Sequence, residues 1–82
     1  MNYYFNYKNR MQRIFKKSSD ADLLIFFNSQ VKNPGWCHAK MIFLDCLKEE
    51  LRKRFDTSEI INNNCCSYIN RICLKGKKIY KL

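Results

Sequence analysis

Six residues of this chain have side chains suited to metal ligation or nucleophilic catalysis: Cys37, His38, Cys46, Cys65, Cys66 and Cys73. Structural zinc sites favour ligands paired two to four residues apart, so that the intervening loop wraps the metal. Here Cys37 adjoins His38, Cys65 adjoins Cys66, and Cys46 and Cys73 stand alone. The spacing predicts no metal; Cys37, His38, Cys65 and Cys66 would have to converge to hold one. Nucleophilic catalysis needs a base beside the nucleophile. The one histidine follows Cys37 directly, and consecutive helical side chains point about 100° apart. The acids fall at helix starts or in ion-pair spacings, and two glycines cannot build a phosphate-cradling loop. The expectation is no catalytic residue, no cofactor and no enzyme activity. Five cysteines are an odd number, two glycines and one proline do not suit a secreted disulfide framework, and the cysteines so read as reduced, small apolar residues.

The charge pattern carries the functional signal. The net charge is +9 over 82 residues. Residues 1–17 hold Lys8, Arg10, Arg13, Lys16 and Lys17 and no acid, and residues 71–82 hold Arg71, Lys75, Lys77, Lys78 and Lys81 and no acid. The middle has six bases against seven acids, so both ends are basic around a neutral body. Lysine and arginine clusters displace counterions from a phosphate backbone, which alone supplies non-specific affinity. These ten residues are the candidate contacts to DNA or RNA, with Tyr3, Tyr4, Phe5 and Tyr7 able to stack on bases where exposed. The alternative partner is an acidic protein surface, met by an interaction module or inhibitor. On that reading an uncovered strand edge, 67–74 or 77–82, offers a pairing site.

These groups need elements to position them. Phe43, Leu44, Leu47, Leu51 and Phe55 recur at three- and four-residue steps, which predicts a helix over 38–55 as the platform of the core. Asp45, Lys48, Glu49, Arg52 and Lys53 fall on its wet side, and Glu49–Lys53 and Glu50–Arg54 have the four-residue spacing of helix ion pairs. The spacing of Tyr4, Tyr7, Met11, Ile14 and Phe15 predicts a helix over 6–17, although Tyr3, Phe5 and Tyr7 also alternate as in a short strand. Ser19, three residues before Asp22, resembles a capping box and starts a helix over 20–31. Its apolar block 23–27 points all round the helix and should be largely buried.

Pro34-Gly35 marks a loop, with Trp36 expected to pack over the start of the central helix. Asp56 or Thr57 caps a short fourth helix over 57–63, and Asn62 to Asn64 suit a left-handed exit. The tail reads as a hairpin over 67–82, its three-residue loop Lys75 to Lys77 placing Ile72, Leu74, Tyr80 and Leu82 on one face.

The chain is thus expected to be a single α+β domain over 1–82, three to four helices followed by a C-terminal β-hairpin. The longest clean apolar run, 23–27, falls far short of the roughly 18 residues of a membrane span. The mixed aromatic and basic start does not read as a signal peptide, which predicts a cytoplasmic protein without a membrane partner. The order of elements resembles a winged-helix arrangement. That resemblance implies that the segment before the hairpin, 57–63, faces the major groove. It holds one acid and no base, with only Asn62 and Asn63 to meet base edges, so backbone binding rather than sequence reading is expected.

Overall fold

The computed structural model describes residues 3–31, 37–63, 65–66, 68 and 70–82, with side chains from Asn6 onward. Trp36 and its loop, Asn64, Ser67, Ile69 and the side chains of Tyr3, Tyr4 and Phe5 lie outside the described set. Three helices come first: α1 (Tyr3–Lys17), α2 (Asp20–Gln30) and α3 (His38–Arg54). Four short strands follow: β1 (Ile61–Asn62), β2 (Cys65–Cys66), β3 (Ile72–Lys75) and β4 (Lys78–Lys81). The fold is α+β.

The stripe on α3 does what its spacing requires. Leu44, Leu47 and Leu51 are buried, with Phe43 and Phe55 packed against them. α1 lies along α3, while α2 packs mainly on β3. Phe15, Leu23, Phe27, Cys46, Ile60, Ile72 and Ile79 join Leu47 and Leu51 in the buried cluster. Burying each such leucine, isoleucine or phenylalanine side chain is worth about 1.5–3 kcal/mol. Phe43 meets Phe15 and Phe26 edge to face, and Phe15 lies tilted against Phe26, with ring centroids 5.1–6.3 Å apart, so all three helices share one aromatic knot. α1 begins at Tyr3, so the N-terminal alternation that suits a strand is helical. α2 is buried only through Leu23 and Phe27. Ile25 is 63% exposed, because neighbours cover one side of that helix alone.

Caps join these helices. The Ser19 hydroxyl accepts a hydrogen bond from the Asp22 backbone N–H at 3.1 Å, as its sequence position predicts. Arg54 closes the α1–α2 corner. Its Nε donates to Glu50 (2.9 Å), Nη1 to the Ser18 carbonyl (2.8 Å) and Asp20 (3.0 Å), and Nη2 to the carbonyls of Phe15 (3.0 Å) and Lys16 (3.1 Å). All five guanidinium donors are engaged. Glu49 pairs with Arg52 and Lys48 rather than with Lys53, and Lys48 is half-buried instead of standing in water.

The fourth helix does not form. A single turn carries Ile60 and Ile61 back to the Thr57 carbonyl, after which Ile61 and Asn62 pair with Cys66 and Cys65 in a two-stranded ladder. Asp56 stands at the start of this segment. Its carboxylate caps the Ser58 N–H and its backbone bridges to the hairpin, and the one turn that follows gives way to the β1–β2 ladder. Asn63 does adopt the left-handed conformation (φ 52°), as the turn of that small ladder rather than as a helix exit.

The C-terminal hairpin has a two-residue loop, Gly76-Lys77, not the three-residue loop expected. Ile72 faces Lys81, Cys73 faces Tyr80, Leu74 faces Ile79 and Lys75 faces Lys78. Gly76 has φ +63°, and Lys77 is not among the positive-φ residues, the signature of a type II′ turn. A Cβ at Gly76 would meet nothing within 4 Å, so backbone conformation alone selects glycine there. Ile72, Leu74, Ile79 and Lys81 therefore share the inner face, and Tyr80 turns outward.

Candidate nucleic-acid interface

Nine of the ten basic residues singled out from sequence are exposed, and Lys78 is half-buried. None of their side chains forms an ion pair among the described residues, where every pair uses Lys48, Arg52 or Arg54. The acids are committed elsewhere. Asp20, Asp45, Glu49 and Glu50 serve those pairs. Asp22 stands in the first turn of α2, Asp56 caps Ser58, and Glu59 accepts the Lys81 backbone N–H at 3.2 Å.

The ten do not form one uniform surface. Arg10, Arg13 and Lys17 recur at helical spacing on the side of α1 away from buried Phe15. Lys8 borders a shallow hollow of about 500 Å³ between α1 and α3, and Lys16 borders a second of about 360 Å³ that Arg13 also reaches. Asp45 and Glu49 line the first, and Glu49 and Glu50 the second, so acids share both hollows with the bases. Cys46 lies beneath, its S–H donating to the Lys8 carbonyl at 3.8 Å, and burial pushes its thiol pKa up.

At the hairpin, Lys75 and Lys78 form the last cross-strand pair before the turn. Their ammonium groups stand 5.8 and 5.2 Å from the centre of the Tyr80 ring, close enough for cation–π attraction. Lys77 occupies the turn. Arg71 stands four residues from Lys75, roughly 13 Å away along the strand. Lys81 faces inward beside Ile72, apart from the tip cluster.

One end of the molecule gathers several of these groups. The last carbonyls of α1 bind Arg54, and two residues on, the Asp56 N–H donates to the Lys77 carbonyl (2.8 Å) and the Asp56 carbonyl accepts from Ile79 (3.0 Å). Lys16 and Lys17 at the end of α1, exposed Lys53 in the last turn of α3, and the hairpin tip thus adjoin one short segment, 54–56. Charge clustering at the two ends of the chain does not mark Lys53 or Tyr80 as site residues. Tyr80 becomes recognisable only with the two-residue loop, which puts it on the same face as Lys75 and Lys78.

Three outward backbone positions of the hairpin, at Ile72, Ile79 and Lys81, are engaged. The Asn28 side chain accepts the Ile72 N–H (2.8 Å) and donates to the Ile72 carbonyl (3.2 Å), acting as a one-residue substitute for a neighbouring strand. Asp56 and Glu59 take the outward N–H groups of Ile79 and Lys81 on the other edge. Among the described residues no group of three His, Cys, Asp or Glu side chains is placed to hold a metal ion. No helix of the described residues is long and apolar enough to cross a membrane. The chain matches no protein-family model, no curated protein and no solved structure.

Proposed function

We propose that this chain is a small nucleic-acid-binding domain, without catalytic chemistry of its own, that grips the phosphate backbone. Arg10, Arg13 and Lys17 on α1 and Lys75, Lys77 and Lys78 at the hairpin tip make the main contacts; Lys8, Lys16, Arg71 and Lys81 add to the surrounding potential. The observation that carries the reading is the separation of charge. The acids are engaged in holding the fold together, while the ten basic side chains stay out of its ion pairs. Unpaired cations repel one another, and a polyanion relieves that repulsion on binding. Five free cysteines support a reducing, cytoplasmic setting.

The test is binding to mixed DNA and RNA, followed by mobility shift or anisotropy over a range of salt. Neutralising about four phosphates gives a slope near −3 to −4 in log affinity against log salt. Lys75→Ala with Lys77→Ala and Lys78→Ala, and separately Arg10→Ala with Arg13→Ala, should weaken binding alike across unrelated sequences, because backbone contacts carry no base information. Failure of the parent chain to bind either polymer below about 100 µM in low salt refutes the reading, since non-specific binders reach that range. The partners of Ile72, Ile79 and Lys81 shorten the stretch of hairpin edge that a protein partner's strand would pair with.

A further inference from the structure

We infer that the outward face of the C-terminal hairpin is a stacking site for single-stranded nucleic acid, centred on Tyr80; the inference rests on the nucleic-acid reading and deepens it. Three observations carry it. The register places Cys73, Lys75, Lys78 and Tyr80 together on the face turned away from Ile72 and Ile79, and strand alternation adds Arg71 and Leu82 to that face. Two ammonium groups lie 5.8 and 5.2 Å from one aromatic centre, on a ring that the core does not claim. Neither lysine forms a close salt bridge among the described residues, and Lys78 acts on Asp56 only through its longer-range charge.

This is the arrangement a nucleotide needs. A base stacks on the tyrosine ring, and the phosphates on either side of its sugar meet the two lysines as they swing off the ring. Any of the common bases serves, because each has a π-face, so the site is tolerant of sequence. The site also selects between polymers. A duplex keeps its bases stacked inside, out of reach of the ring, whereas a single strand can turn one outward. The basic face of α1 lacks this discrimination, since it meets phosphates alone.

The experiment compares three labelled probes of about ten nucleotides, a length within the usual single-strand site size. They are a thymidine strand, an abasic strand with the same phosphates, and a duplex. The parent chain should bind the base-bearing strand about tenfold tighter than the abasic one, the effect of stacking one base. Tyr80→Leu should bring the two within about twofold while leaving duplex binding unchanged, and Tyr80→Trp should keep the preference. Because Tyr80 lies outside the buried cluster, its replacement leaves the packing of Ile72 and Ile79 in place. A second measurement needs no variant: the Tyr80 ring protons of the parent chain should shift upfield on titration with the thymidine strand and stay put with the abasic strand. Equal affinity for base-bearing and abasic strands, or a preference that survives in Tyr80→Leu, overturns the stacking site and leaves backbone binding standing. Failure to bind any probe overturns both readings together.

Discussion

Arg54 illustrates how much one side chain can hold. Its five bonds reach a carboxylate one turn back and three carbonyls and a second carboxylate 34–39 residues away. Burial alone would lower its pKa, but the hydrogen bonds and charges of Glu50 and Asp20 outweigh that and raise it. Arg54→Ala leaves those carbonyls short of a donor and should cost roughly 2–3 kcal/mol, read as a lower denaturant midpoint. The Asp20 arm contributes little of this, since its carboxylate is mostly in water. Arg54→Lys should recover less than half, because an ammonium cannot span the fork of acceptors. Full recovery with lysine would mean that charge alone matters.

Asp56 gives the pH dependence at this scale. The Ser58 N–H, then the Ser58 hydroxyl and Lys78, hold its carboxyl below the ordinary 3.8. A depressed native pKa means that its contribution is fully present above about 3.8 and fades as pH falls through the lower native value. Carbon NMR titration of the Asp56 carboxyl should show a midpoint under 3.8; one above it would place the group outside its turn.

At the scale of elements, the hairpin is joined to the helices by two kinds of contact, and they can be separated. Leu47→Ala opens a cavity at the centre of the core and should cost roughly 2–5 kcal/mol. Asn28→Ala removes only the two bonds to Ile72 and should cost about 1–3 kcal/mol, concentrated in the hairpin. Proton shifts of β3 and β4 that move with Asn28→Ala while those of α1 and α3 do not would show this. Global loss instead would mean that the hairpin and the helices melt as one. The same bond explains what sequence could and could not disclose. The α3 stripe and the Ser19 cap were legible because period and capping are local signals. The hairpin register was not: local pattern favours a three-residue loop that gathers four apolar side chains, but anchors at Asn28 and Asp56, far along the chain, bury Ile72 and Ile79 instead. The absent fourth helix has the same cause, since an Asp that caps a turn gives the same local signal as one that starts a helix. Arg54 reads from sequence only as the partner of Glu50. At the candidate site the basic residues were legible by composition, and the aromatic ring between them was not, because its face depends on that register.

The whole molecule carries +9, with its acids engaged internally, so it should be stabilised by anything that screens the remaining cations. Its thermal midpoint should rise as salt goes from about 0.01 to 0.3 M, a change that shortens the screening length from roughly 30 Å to under 10 Å. A flat or falling midpoint would mean that the surface ion pairs outweigh the repulsion. The anchored hairpin edges have a consequence for solvent exchange. In an isolated two-stranded hairpin half of the amide protons point into water and are lost within the dead time of a deuterium experiment. Here Ile72, Ile79 and Lys81, which a freestanding hairpin would leave unprotected, each donate to a partner outside the hairpin. Their deuterium uptake should therefore be slow. The Ile72 proton in particular should exchange at the opening rate of α2, a helix 44 residues away, rather than at that of its own strand.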